Sequence, residues 1–236
     1  MWTYSKKLEY PVKIARPDAA AAKVIISQLG GPDGEMGAAT RYLSQRYTAP
    51  WGQVKAGLTD IGTEDLAHIE IVSAILYQLT KGLTVEQIKE GGMEAYFVDH
   101  TTGIYPQAAS GMPFSTATLQ STGDIICDLT EDLAAEQKAR VTYDNILRLS
   151  DDPDVNDAIK FLREREVVHF QRFGEASASV KCCALLRSSW TAKTSMPLTR
   201  SLIRCQTAGR KLSANDNQNK MKKHSFLKTA EGSVLL

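Results

Sequence analysis

Two stretches of the chain place a carboxylate three residues ahead of a histidine: Asp65-Leu66-Ala67-His68 and Glu166-Val167-Val168-His169. On an α-helix, positions i and i+3 share a face, so each pair can offer an oxygen and a nitrogen to one ion or to adjacent ions. One such pair on a solvated face carries little weight. Two of them, with single carboxylates at Glu35 and Glu136, match the four-helix di-metal arrangement. There, two helices each give one glutamate and the other two each give a carboxylate-x-x-histidine. Mixed carboxylate and imidazole ligands suit manganese and iron alike, so the residue types leave the metal open between those two.

The surrounding apolar pattern argues that these groups point inward. Stripes at alternating steps of three and four run Leu58, Ile61, Asp65, His68, Val72, Ile75, Leu79 and Ile126, Leu129, Leu133, Glu136, Arg140, Tyr143, Leu147. A third runs Ile159, Leu162, Glu166, His169, Phe173. Each core-facing line is interrupted by polar residues at its middle. Burying four carboxylates together without counter-charge costs roughly several kcal/mol each, and two divalent cations remove that objection.

Four helical segments must position the set. Asp18 reads as the N-cap of an alanine-rich helix reaching Leu29, and Gly30-Gly31-Pro32-Asp33-Gly34 interrupts it before Glu35 to Tyr47 resumes. A second helix is predicted from about Val54 to Thr80, a third from about Gly123 to Ser150, and a fourth from about Val155 to Glu175 after the turn Asp151-Asp152-Pro153-Asp154. The connection from Lys81 to Thr122, with one short helical piece at Val85 to Lys89, is long enough to carry the chain to the far end of a bundle. The expected fold is all-α, a four-helix bundle with a long crossover between helices 2 and 3.

Charge divides the chain of 236 residues more sharply than its net +1 suggests. Residues 1–175 hold 17 Lys and Arg against 25 Asp and Glu, and residues 176–236 hold 11 against 2. The expectation is a di-metal domain over 1–175 and a basic, irregular tail over 176–236 that fits no packed domain. Either a frameshifted reading of the original segment or a basic arm toward nucleic acid or an acidic surface explains such a tail, and the first is preferred. No apolar run follows Met1, so neither a secretory signal nor a membrane span is expected, and the expected location is the cytoplasm. Cys127, Cys182, Cys183 and Cys205 have no zinc-site spacing.

Extended motifs add a resemblance. Trp2-Thr3-Tyr4, Tyr10-Pro11-Val12-Lys13, Gly30 to Glu35, Tyr42-Leu43-Ser44-Gln45-Arg46-Tyr47, Thr59 to Glu64 with His68, Glu136 to Arg140, and Phe161 to Phe170 together resemble the manganese catalases, particularly the short members associated with bacterial spore coats. The resemblance implies a ferritin-like fold and two manganese ions. Glu35 and His68 would serve one ion, Glu136 and His169 the other, with position 65 bridging. It further implies Glu166 as an unliganded base, hydrogen peroxide as substrate and a homo-oligomer, a hexamer in catalases of this type. Tyr42, seven residues after Glu35, is a candidate to support the ligands from behind.

Two departures qualify the resemblance. The bridging position is Glu in the family pattern and Asp65 here, one methylene shorter; Ala135 stands where some members carry an arginine. Asp65 and the tail keep two alternatives in view: a di-iron oxidase or ferritin-like protein, and a structural spore-coat protein with a degraded site.

Overall fold

The computed structural model describes residues 7–191, with side-chain environments for 7–182. Trp2 to Tyr4 and the part of the expected tail beyond residue 191 lie outside the described residues. Among the described residues there is no strand, only an isolated bridge between Gln107 and Pro113. The first bundle segment is broken into α1 (Ala19–Ile25), α2 (Ser27–Gly30) and α3 (Glu35–Gln45). The other long segments are α4 (Gly52–Thr80), α7 (Ile125–Leu149) and α8 (Pro153–Thr191). The crossover carries α5 (Val85–Glu90), α6 (Glu94–His100) and a 3-10 turn (Thr116–Thr118).

Local chemistry accounts for the element boundaries. Asp18 caps α1, its side chain accepting from Ala21 N at 3.0 Å, which meets the amide that a first helical turn leaves unpaired. Thr84 and Gln87 form a reciprocal capping box at α5, and Asp124 caps α7 by accepting from Ile126 N and Cys127 N. The break between α2 and α3 depends on small residues. A Cβ at Gly30 would stand 2.2 Å from Gln107 N, so the crossover backbone passes where a side chain would be. A Cβ at Gly62 would sit 2.9 Å from the Leu43 side chain, and its absence lets α3 and α4 approach closely.

The expected seams of α4 and α8 are the observed ones: every residue named in them over 58–79 and 159–173 is at most 3% exposed. The seam of α7 is corrected. Leu129, Glu136 and Tyr143 are buried, whereas Ile126 is exposed and Leu133, Arg140 and Leu147 are half-buried. The buried face instead includes Asp128, Asp132, Ala135, Ala139 and Ile146. Asp128 accepts from Thr122 N at 2.8 Å and Gly123 N at 3.1 Å, fastening the end of the crossover to the start of α7. The fourth helix also runs past its expected end at Glu175, to Thr191. Short residues such as Ala176, Ser177, Ala178 and Ser179 sustain a helix without an apolar stripe to announce it. Helix α6 is a further addition; it has no side-chain cap and is too short for a visible period.

The interior around the second half of α4 is apolar. Ile71, Val72, Ile75, Leu76 and Leu79 of α4 pack with Ile146 of α7 and Val155, Ile159 and Leu162 of α8. The arm preceding α1 closes over this end: Ile14 N donates to Gln78 Oε1 at 2.7 Å, Gln78 Nε2 donates to the Val12 carbonyl at 2.9 Å, and Tyr10 stacks on Phe161 at 4.4 Å.

Candidate metal centre

All six groups singled out in the sequence meet inside the bundle. Glu35, at the first position of α3, is 3% exposed; Asp65 and His68 are 1% and 0%, Glu136 is 2%, and Glu166 and His169 are 3% and 0%. Donor atoms of five of them fall into two sets, Glu35 with Asp65 and His68, and Asp65 with Glu136 and His169, and Glu166 belongs to neither. Asp65 belongs to both. One of its oxygens, Oδ1, lies 3.4 Å from His68 Nδ1 and 3.5 Å from His169 Nδ1. His68 Nδ1 is 3.3 Å from Glu35 Oε2, and His169 Nδ1 is 3.6 Å from Glu136 Oε2. The two imidazole rings are stacked, centroids 5.6 Å apart.

These separations fit shared cations better than hydrogen bonds. Atoms that each lie about 2.1 Å from one ion are about 3.0 Å apart at right angles and about 3.4 Å apart at tetrahedral angles. Both nitrogens of both buried histidines, with Asp65 Oδ2 and Glu136 Oε2, lack a hydrogen-bond partner. Buried polar atoms are ordinarily paired, at about 1–3 kcal/mol each when they are not. The two Nδ1 atoms among them, each with carboxylate oxygens of two residues within 3.6 Å, give the mixed donor set that two divalent ions need. The residues present fit a di-metal centre.

Further groups orient the donors. Tyr42 donates to Glu136 Oε1 at 2.5 Å, which places the tyrosine suspected from its spacing directly behind a candidate ligand. Tyr143 makes a short hydrogen bond to Glu35 Oε1. The pairing is crossed: Glu35 and Tyr42 stand seven apart on α3, Glu136 and Tyr143 seven apart on α7, and each tyrosine holds the other helix's carboxylate. Tyr143 was visible in the sequence as a seam residue, but its partner was not. Glu64, one residue off the inward seam of α4, lies behind the rings. Its oxygens are 3.7 Å from His68 Nε2 and 3.4 Å from His169 Nε2, and it pairs with Arg165. Glu9, from the arm, adds an oxygen 3.7 Å from His68 Nε2. Carboxylates thus stand on both sides of each ring, the seam residues at Nδ1 and Glu64 at Nε2.

The electrostatics follow from crowding anions in a buried space. Burial, reinforced by Glu35 and Glu136 against the opposing histidines, pushes Asp65 up to about 7. Burial and the neighbouring Glu136, Glu35 and Asp65 push Glu166 well above the usual carboxylate range. Burial opposes charge on His169, yet Glu136 and Glu64 outweigh it and raise the imidazole to about 10. Burial likewise works against Glu64, but His169 and Arg165 hold it at about 2. The cluster therefore demands positive charge, from protons or from metal.

Comparison with known proteins agrees with this geometry. The family described as manganese containing catalase matches residues 1–197, so the likeness runs past Glu175, where the sequence motifs gave out. Protein CotJC of Bacillus subtilis strain 168 is 50% identical over 181 residues, which cover 77% of this chain and 95% of that protein. A probable manganese catalase of Clostridium acetobutylicum is 36% identical over 171 residues, 72% of this chain and 76% of that protein. The crystal structure of wild-type KatB, a manganese catalase from Anabaena, superposes with a TM-score of 0.71 at 29% identity, covering 77% of this chain and 81% of that one. The chain, a ferritin-like helical bundle, belongs to the manganese catalase family.

Proposed function

We propose that this protein binds two manganese ions and disproportionates hydrogen peroxide to water and dioxygen. The observation that carries the reading is the pair of buried donor sets joined through Asp65 Oδ1. Glu35 and His68 would hold one ion and Glu136 and His169 the other, with Asp65, whose Oδ1 stands near both Nδ1 atoms, shared between them. When bound, the metal pair supplies the two-electron exchange with each peroxide, one molecule being reduced to water and the next oxidised to dioxygen.

The chain's own residues handle protons and orientation. Glu166 takes protons from peroxide and returns them to the departing oxygen; a buried carboxyl raised toward the working pH is suited to both directions. Tyr42 and Tyr143 each occupy one oxygen of a ligand carboxylate, leaving the other for the ion. Glu64, on the Nε2 side of both rings, is placed to accept from Nε2–H and so to leave Nδ1 for the ion. The surrounding apolar seams exclude bulk water.

Likeness to family members supports a homo-oligomer, and exposed apolar side chains such as Leu66, Val167 and Phe170 are available to an interface. Among the described residues no helix is long and apolar enough to cross a membrane, and residence in the cytoplasm or spore coat belongs to the same proposal. Asp65 in place of glutamate favours one second reading, a spore-coat component that keeps the bundle with a weakened site. Metal analysis with dioxygen release from peroxide decides. Manganese and gas are expected; iron with consumption of ferrous ion would indicate a di-iron oxidase, and neither metal nor gas a structural protein.

A further inference from the structure

A second buried polar cluster lies where α3, α7 and the end of the crossover meet. Arg41 and Gln45, one turn apart on α3, and Asp132 on α7 are 0%, 2% and 0% exposed. Each keeps one atom without a hydrogen-bond partner: Arg41 Nη1, Gln45 Oε1 and Asp132 Oδ2. Their other atoms are engaged and hold the cluster in shape. Gln45 Nε2 donates to Asp132 Oδ1 at 3.0 Å and to Ser121 Oγ at 3.1 Å. Arg41 Nε donates to the Leu119 carbonyl at 3.0 Å, and its Nη2 to that of Thr118 at 3.3 Å. Arg41 is also near enough to Asp132 for its charge to act on the carboxyl.

The leftover atoms define what fits. A cation is disfavoured by the guanidinium, and Asp33, 3.8 Å from Arg41 Nη2, already answers part of that charge without an anion. An apolar occupant would leave all three atoms unpaired, at about 1–3 kcal/mol each. A small neutral molecule that both donates and accepts satisfies them, and buried waters typically make about three such bonds. Water and hydrogen peroxide share this chemistry.

Position gives the cluster a use. Outward, Ser121 lines an open cleft of about 690 Å³ together with Gln120, Thr122, Ile126 and Glu131. Inward, Asp132 is one turn from Glu136 on α7, and Gln45 is three residues from Tyr42, which hydrogen-bonds Glu136. Ser121, Gln45, Asp132 and Glu136 thus follow one another from the surface toward the metal centre. We propose that Arg41, Gln45 and Asp132 form a binding station for one water or hydrogen peroxide molecule on an access route from the Ser121 cleft to the di-metal site. The choice of peroxide rests on the function proposed above; the station itself does not.

Crystals of the full-length, manganese-loaded protein should show ordered solvent bonded to all three atoms, and a dry cluster would overturn the station. At equal metal content, Gln45→Leu should lower the second-order constant for peroxide consumption by about tenfold while the saturating rate changes less than about twofold. Gln45→Asn, which keeps an amide donor and acceptor on a shorter side chain, should recover part of the loss. An unchanged constant in Gln45→Leu, or a fall in rate that follows lost manganese alone, would overturn the route. If the wild type binds manganese yet releases no dioxygen, the peroxide reading fails alone, and the solvent density then decides for or against the station.

Discussion

Along the inward face of α4, Asp65 and His68 are as buried as Val72, Ile75 and Leu79 further down the same helix, all at most 1% exposed. The two ends of the bundle interior differ in what completes them. Val72, Ile75 and Leu79 are completed by apolar neighbours from α7 and α8, and burying each such side chain contributes about 1.5–3 kcal/mol without any further partner. Asp65 and His68 face Glu35, Glu136 and His169, a group that protein alone leaves with unpartnered atoms. Equal burial therefore has opposite meanings: one end stabilises the fold, and the other depends on charge brought from outside.

Variants at the two ends should separate stability from metal content. The largest effect on activity is expected for His169→Ala, which removes one nitrogen donor: manganese content should fall and dioxygen release should drop more than about 100-fold, as read by metal analysis and an oxygen electrode. Retention of two ions would break the contrast. Glu166→Gln should keep both ions and lose about 10²- to 10⁴-fold in turnover, separating proton handling from metal binding in the same two assays. At the apolar end, Leu76→Ala should cost about 2–5 kcal/mol of stability in denaturant titration with the manganese count per folded chain unchanged.

A smaller effect follows from pH. Asp65 is raised in the metal-free folded state from 3.8 to about 7, so the fold binds a proton that the unfolded chain has released. Stability from this group is present below the unfolded value and lost as pH rises through about 7. His169, raised from 6.5 to about 10, contributes stability below 6.5 that is lost as pH rises toward 10. Melting of the metal-free chain should therefore move to lower temperature as pH rises through this window, and manganese, which replaces the protons, should oppose the decline. A metal-free protein that grows steadily more stable over that range would show that the site is not an uncompensated anionic cluster. The smallest change is expected for Asp65→Glu, which restores the family's side chain: manganese occupancy or turnover should rise, and if neither does, the aspartate is not a handicap.

How much of this was readable in advance depended on whether the partners were local. The seams of α4 and α8 and the convergence of Glu35, Asp65, His68, Glu136, Glu166 and His169 were legible, because helical spacing sets them. The inner face of α7 was misjudged because Asp128 and Asp132 look solvated in a sequence: Asp128 turns back onto Thr122 and Gly123 just ahead of the helix, and Gln45, the partner of Asp132, comes from α3. Glu64 and Tyr143 were missed as supports for the same reason: Arg165 and Glu35 reach them from other helices. The continuation of α8 to Thr191 left no apolar period to read.

The most direct measurement is anomalous diffraction at the manganese absorption edge from crystals of the reconstituted full-length protein. Two peaks are expected, one against Glu35 and His68 and the other against Glu136 and His169, with Asp65 touching both. A single peak, or none with the two histidines turned away from Asp65, would contradict the shared di-metal centre.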